Sequence, residues 1–527
     1  MRRLLEAIGS PQEGLRTIHV AGTKGKGSTV AFLENILMQS GYKVGAYTSP
    51  SVRSLGEMFR VGGREAAEQD LDRLLIGLKE RVEATEGLRP TYFEVMTAMA
   101  YVVMRIVSGC LGLIQLRDME AGNMHSPMAV WCTLCRFQHF RNEGVDVAIV
   151  EAGLGAARDA TNALDATALD LGVVTSIGAE HVEALGGSLE SIARAKAAVF
   201  KEGKVGVIAE QGEGVAEAVV LMEASERRVK TYRVEAVVGY HVEDERACLK
   251  ETPGGVIIKN VVSFQVPGEL VDACFGGPET SAAGGLDAWE FDASLSLVGR
   301  HQASNAATAI ASSLALRSDA GYDRISRASI QTGLEMASLP GRFQVVDDVH
   351  LDGMDEIGAG IGAQKDHIPG ISEPEEARKR VLTIVDGAHT KASARCVAET
   401  LRQLFPDSKL AVVMAMAADK DHEGFCSEIQ KAQPNVVVFT ETPIAGGQAR
   451  SAGPGALAGA WRVAKMKNRS VDRTWRCREL IQANVQSALA KARHELSGEA
   501  SAKDAPGIIL VCGSLSIFKS CMRKDVT

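Results

Sequence analysis

The chain has few aromatic side chains (5% of 527 residues), no uninterrupted apolar run of the roughly eighteen residues that span a bilayer, and no excess of positive charge. Fifty-eight basic against sixty-six acidic residues leave a formal charge of -8, which argues against a general nucleic-acid or membrane-surface binder. Its ten cysteines are scattered, without the dense spacing of a disulfide framework, as in reduced intracellular proteins. No signal-type apolar segment opens the chain, and the residues before Thr17 leave little room for a transit peptide. These absences lead us to expect a soluble, cytoplasmic monomer, or a mitochondrial one if further sequence precedes Met1. Its expected partners are small molecules, not nucleic acid or membrane.

What is present points to enzyme-like globular domains. A hydrophobic share of 46% with 24% charged residues suits two or three of them and excludes a disordered chain. Short β-branched runs alternate with helix-length amphipathic segments, the pattern of an α/β protein built on mostly parallel sheet. Strands are expected at Thr17–Ala21, Lys43–Tyr47, Val145–Val150, Leu171–Thr175 and Val205–Ala209. A second, smaller α/β series follows Pro340, with strands at Val381–Val385, Leu410–Met414, Val436–Phe439 and Ile508–Val511, and helices at Lys391–Leu404 and Arg478–Leu496. The domain division is therefore placed at 1–338 and 339–527. Residues 230–298 have a different character and are expected to form a β-rich edge with a Gly-rich surface loop at Phe275–Gly285.

Two stretches interrupt this pattern. Residues 106–139 break a helix-like segment at Thr91–Arg105 and carry Cys132-x-x-Cys135; His125 and His139 do not complete an established zinc spacing, so an inserted loop is expected. His350–Glu376, rich in Gly, Asp and Glu, is expected to be a second surface insert.

The unusual residues gather at the expected strand ends, where open α/β sheets bind ligands. Gly22-Thr23-Lys24-Gly25-Lys26-Gly27-Ser28 follows a strand and opens a helix-like run from Thr29 to Gln39. Backbone N–H groups of such a turn wrap phosphate oxygens, the helix N-terminus adds positive potential, and Lys26 supplies a point charge. The spacing departs from the strict G-x4-G-K-[ST] loop, because Gly27 separates Lys26 from Ser28. An ordinary Gly-rich turn is the competing reading.

The run His19–Ser28 closely resembles the nucleotide loop of folylpolyglutamate synthases and dihydrofolate synthases, members of the Mur ligase superfamily. The resemblance continues in order through Thr48-Ser49-Pro50, Pro90–Glu94, Val145–Asn162, Thr175–Lys201, Gly299–Ala307, Pro340-Gly341-Arg342, Asp386–Ala394 and Met416–His422. It implies a Mur-ligase-like, P-loop ATPase domain and a smaller C-terminal α/β ligase domain, using ATP and Mg²⁺. The segments Asp386–Ala394 and Met416–His422 look most like plant-type dihydrofolate synthases. The family commonly has His after Ser-Pro, a glycine pair after Gly-Leu-Gly and Glu before a helix lysine; here stand Ser51, Ala156 with Ala157, and Ala195.

Residue by residue, the resemblance implies nucleotide contacts from Gly22, Thr23, Lys24, Gly25, Lys26, Gly27 and Ser28. It assigns Mg²⁺ ligation to Ser49, Glu151 and His181, all at strand ends, a donor set that suits a cation keeping water and phosphate oxygens. His181 is also placed in catalysis. Lys196 matches a lysine that is carbamylated in many of these ligases; a solvated helix lysine is the plainer reading. Gln302 and Asn305, three apart and so on one helix face, match amides that face adenine, with helix capping as the alternative. Arg342 matches an arginine that reaches the ATP phosphates, and Asp386 and His389 match ribose and phosphate contacts, against a simple Asp-Gly turn. Asp419, Lys420, Asp421 and His422 are read equally as glutamate-side contacts or a solvated charged turn.

The activity so implied is ATP-dependent amide ligation of L-glutamate to a pteroate or folate carboxylate through an acyl phosphate. Dihydrofolate synthase is the first expectation, with dihydropteroate as acceptor, and a bifunctional chain carrying both activities is compatible with it. Folylpolyglutamate synthase, extending a tetrahydrofolate tail, is the second. A non-catalytic nucleotide-binding paralogue is the alternative of another class.

Overall fold

The computed structural model describes residues 1–107, 145–180, 182–242, 248–252, 255–276, 288–346, 381–444, 450–468, 472, 474–497 and 505–521. Residues 108–139, which hold the Cys132–Cys135 pair, the insert at 350–376 and His181 lie outside the described residues. The chain divides into two units. Unit 1 takes Met1–Glu243, Asn260–Leu297 and His301–Leu339; unit 2 takes Asp244–Lys259, Val298–Arg300 and Pro340–Thr527.

In unit 1, β1 (Thr17–Ala21), β2 (Val44–Tyr47), β3 (Phe59–Val61), β4 (Arg64–Glu65), β5 (Val147–Glu151), β6 (Leu169–Val174), β7 (Val205–Ile208) and β8 (Lys230–Arg233) form one sheet. Its order is β4-β3-β2-β5-β1-β6-β7-β8. The six strands from β2 to β8 in that order are parallel, and β3 and β4 add an antiparallel edge. Every residue of β1, β2 and β5 is buried. Both faces are covered, so these strands read as continuous apolar runs without alternation.

The chain leaves β1 toward β2 on one side and later crosses to β6 on the other. The crevice at the carboxyl end of β1 is therefore the topological switch point, where such sheets bind ligands. The helix Lys26–Gln39 rises directly from it, its residues from Ser28 to Leu37 almost all buried. Against this helix lies Arg327–Met336, at a separation that only glycine permits: a Cβ at Gly333 would collide with the backbone of Ile36. The expected β-rich region supplies β9 (Gly239–Val242), β10 (Cys248–Thr252), β11 (Gly255–Val266) and β12 (Trp289–Leu295), all antiparallel about β11. In unit 1 its stack of Trp289 on Phe291, with ring centroids 4.3 Å apart, closes the core beside Phe264.

Unit 2 has a six-stranded sheet of β13 (Gln344–Val346), β14 (Val381–Val385), β15 (Leu410–Met414), β16 (Val436–Phe439), β17 (Arg478–Ile481) and β18 (Gly507–Cys512). The order is β13-β14-β18-β15-β16-β17, with only β13 antiparallel. One expectation is corrected here. Arg478–Leu496 is not a single helix: Arg478–Ile481 pairs with β16 as an edge strand, and the helix begins at Val485. Four residues with no β-branched member before Ile481 carry little strand signal of their own, and pairing with β16 decides the conformation. Among the described residues, no helix is long and apolar enough to cross a membrane.

Candidate active site

The turn after β1 is held from below by the segment after β6. Thr23 and Lys24 donate their backbone N–H groups to Ser176 O, at 2.8 and 3.1 Å. Thr175 Oγ1 donates to Lys24 O at 2.8 Å, and the Thr23 hydroxyl pairs with the backbone of Gly178. A Cβ at Gly22 would collide with Thr175 Oγ1. The N–H groups of Thr23 and Lys24 are thus engaged inside the protein, and those of Gly25 to Ser28 form the free-pointing opening of the helix. Gly25 is the N-cap in the left-handed region (φ +85°), and a side chain there would also strike Asn305 Oδ1. The Lys24 ammonium pairs with Glu180 at 2.5 Å, so this lysine ties the loop to the β6 segment.

Charged groups converge on the helix-opening half of the turn. Lys26 Nζ lies 3.8 Å from Glu151 at the end of β5, and Glu151 Oε2 accepts the Ser49 N–H at 3.3 Å. Lys196, near the end of the helix Leu189–Ala197, is 5% exposed and donates to Gly22 O at 2.7 Å. Burial, reinforced by the neighbouring Lys26, lowers its pKa to about 7. Sequence reasoning brought Ser49, Glu151, Lys26 and Lys196 to one place, and in the structure they meet around the Gly22 turn. It did not find Thr175 or Glu180 as the residues that hold that turn.

Beside Glu151 the chain runs through Gly153–Asn162 and lines a cavity of about 1410 Å³ with Phe93, Leu154, Ala156, Arg158, Leu185 and Arg194 among its walls. Gly153 is needed there because a Cβ would run into the Phe93 ring. Ala156 and Ala157, where the resembled family has glycines, are part of the wall. Its walls mix apolar surface with charged groups, Arg158, Asp159 and Arg194 among them, and a concave site of that kind can take a small molecule that is itself part apolar and part charged.

Gln302 and Asn305 do share one face of the helix Arg300–Asp319, but their amides bond to each other, Asn305 Nδ2 to Gln302 Oε1 at 3.0 Å. Both are buried, with Asn305 set against Gly25. In unit 2, Asp386 follows β14 and its carboxylate accepts Phe343 N at 2.9 Å and Ala388 N at 2.8 Å. His389 Nδ1 lies 2.8 Å from Gly387 O, and Arg342 Nη1 lies beside the Gly387 backbone. Asp386 and His389 thus share the turn after β14, and Arg342, in the segment before β13, lies against it. Downstream, Asp421 caps the helix His422–Gln430 through Gly424 N at 2.8 Å, His422 Nε2 meets Ala417 O, and Asp419 faces Arg450 at 3.5 Å.

The Mur ligase middle domain matches residues 96–313, and the Mur ligase glutamate ligase domain matches residues 373–515. A dihydrofolate synthase/folylpolyglutamate synthase of Bacillus subtilis (strain 168) is 28% identical over 433 residues, 82% of this chain and 77% of that protein. The chain belongs to the folylpolyglutamate synthase/dihydrofolate synthase family. It is a Mur ligase-type enzyme. A probable bifunctional folylpolyglutamate synthase/dihydropteroate synthase of Halobacterium salinarum is 30% identical over 80% of this chain, which spans 39% of that larger protein. Among solved structures, folylpolyglutamate synthase from Mycobacterium tuberculosis, complexed with ADP and AMPPCP, has a TM-score of 0.66 at 22% identity, covering 99% of this chain and 94% of that one. FolC of E. coli, in complex with DHPP and ADP, gives 0.64 at 24% identity, with 98% and 90% covered. These structural likenesses establish the synthase fold for both units.

Proposed function

We propose that the protein is an ATP-dependent amide ligase that joins L-glutamate to the carboxylate of a pteroate or folate, with dihydropteroate as the first acceptor. The observation that carries this reading is the convergence of Lys26, Glu151, Ser49 and Lys196 on a helix-opening turn beside a cavity of about 1410 Å³. The N–H groups from Gly25 to Ser28 and the Lys26 ammonium would hold the ATP phosphates. In unit 2, Arg342, Asp386 and His389 are assigned to the nucleotide as well, Asp386 by holding the backbone next to each of the other two through Phe343 N and Ala388 N. Gln302 and Asn305 are assigned to the adenine.

The donors fit Mg²⁺. Glu151 offers a buried carboxylate and Ser49 a hydroxyl, hard oxygen ligands of the number that Mg²⁺ takes while retaining water and phosphate oxygens. Among the described residues no cluster of three His, Cys, Asp or Glu side chains forms a complete cage. His181 is the further ligand we assign. When bound, the ion neutralises negative charge on the transferring phosphoryl group.

A carboxylate is a poor electrophile, so the acceptor acid first attacks the γ-phosphorus and ADP leaves, giving an acyl phosphate. The glutamate amine then adds to the acyl carbon, and phosphate departs from the tetrahedral intermediate. Lys26 stabilises charge at the first transfer. Lys196, with a pKa near 7, holds an appreciable neutral fraction, the form that takes up carbon dioxide as a carbamate. The neighbouring relatives' complexes with ADP, AMPPCP and DHPP support both the nucleotide and the pterin-type acceptor. The test is ADP release from ATP and glutamate with dihydropteroate or tetrahydrofolate, and product mass for each. Dihydrofolate from the first is expected; added glutamates on the second alone would favour folylpolyglutamate synthase. ATP binding without glutamate-dependent ADP release would favour a non-catalytic paralogue.

A further inference from the structure

From the cavity wall inward runs a set of hydrogen bonds that the reaction above does not use. Asp159 accepts three times: from Leu154 N at 2.7 Å, Thr161 N at 3.0 Å and Thr161 Oγ1 at 2.5 Å. Thr161 Oγ1 lies 2.9 Å from Nε2 of His19, in the middle of β1, and Tyr101 OH donates to Thr161 O at 2.9 Å. Both His19 and Thr161 are fully buried.

The proton count fixes the roles. The single Thr161 hydroxyl proton goes to the Asp159 carboxylate, which only accepts, so His19 must donate from Nε2. That leaves Nδ1 as a bare lone pair, and it has no partner in its buried site. Burial keeps the ring neutral, with its pKa lowered to about 3. A ring that neither titrates near neutrality nor opens onto the cavity is unsuited to proton transfer.

β1 is paired on both sides, with β5 and β6, so the His19 end is fixed. The adjustable end is the loop that Asp159 gathers, and Leu154, Ala156, Ala157, Arg158 and Asp159 itself line the cavity. We propose that His19, Thr161 and Asp159 form a brace, buried at its His19 end, whose task is to position the Gly153–Asn162 loop for the acceptor acid. This rests on the assignment of the cavity to the acceptor in the preceding section. His19 and Thr161 are positioning residues outside the cavity, and Asp159 joins them to its wall, which it also lines.

The test is Thr161→Val, which keeps the shape and removes the hydroxyl, beside Thr161→Ser, which keeps the hydroxyl. We expect the acceptor KM to rise about tenfold in the first, the effect of losing one buried hydrogen bond, and to return toward the parent in the second. The KM for ATP should stay within about twofold in both. Amide exchange at Leu154 and Thr161 should quicken in Thr161→Val alone. Equal movement of the two KM values, or failure of serine to rescue, overturns the proposal. If the parent protein turns over neither acceptor, the functional reading fails while amide exchange still decides the brace. If Thr161→Val does not fold, nitrogen NMR of the parent decides: a neutral Nε2–H tautomer of His19 from pH 5 to 8 is expected, and an Nδ1–H tautomer overturns it.

Discussion

Unit 1 and unit 2 both place polar residues at the carboxyl ends of parallel strands, yet they use them differently. At the end of β1 and β5, Lys26 and Glu151 face each other at 3.8 Å as a loose pair, and Glu151 also accepts the Ser49 N–H at 3.3 Å. At the end of β14, both oxygens of Asp386 are held by backbone N–H groups within 3 Å. The lesson is that a strand-end carboxylate is read by what occupies its lone pairs. In unit 1 the carboxylate meets a charged side chain of the turn, while Thr175 and Ser176 hold the loop; in unit 2 the carboxylate itself holds the backbone.

This contrast can be broken by substitutions that separate activity from stability. The largest effect is expected for Lys26→Met, which removes charge from the phosphoryl site: kcat/KM should fall roughly 10²–10³-fold with little change in Tm. Comparable loss of Tm, or near-parental turnover, would remove the distinction between the units. Asp386→Ala should do the reverse, leaving two buried N–H groups unpaired and lowering stability by about 2 kcal/mol or more, as read by urea unfolding. A stability unchanged by that substitution would show that the turn does not depend on its carboxylate.

Lys196 sharpens the comparison through pH. Its pKa is lowered in the folded state from 10.5 to about 7, so between these values the unfolded chain binds more protons and folding stability rises with pH. Below about pH 7 both states carry the proton and the contribution no longer changes. The difference in unfolding free energy between the parent and Lys196→Met should therefore grow from pH 7 to pH 10; a flat difference would mean that the amine is carbamylated, which a mass increase on native spectra would reveal. A smaller effect, about 1 kcal/mol, is expected for Asp421→Ala, which removes the N-cap of the helix His422–Gln430. The smallest is Lys24→Met: its exposed pair with Glu180 should contribute within about 1 kcal/mol to stability, measured by thermal unfolding.

Much of the architecture is legible in the residues because buried parallel strands are continuous apolar runs, and Ile18, Val20, Val44, Ile149 and Val173 advertise them. The Gly22–Ser28 turn is equally legible, since two of its glycines stand where a side chain cannot. The partners of that turn are less so. Thr23 and Lys24 read as phosphate contacts, but the bonds that engage them come from Ser176 and Glu180, more than 150 residues away, and no local spacing announces such a pairing. Gln302 and Asn305 were placed on one face by their spacing, while the bond between their amides depends on rotamers that spacing does not specify. Arg478–Ile481 was misread because its strand character is conferred by β16. His19 is a signal in plain view, a polar ring inside an apolar strand, whose meaning required Thr161 to be found beside it.

The anchoring of Thr23 and Lys24 to Ser176 has a kinetic side. A turn already fastened before its anion arrives loses little further freedom on capture, so the ordering entropy falls within the folding reaction and not within association. Encounter with a triphosphate then resembles the docking of two rigid surfaces, and differences among nucleotides should be expressed mainly in how long each stays.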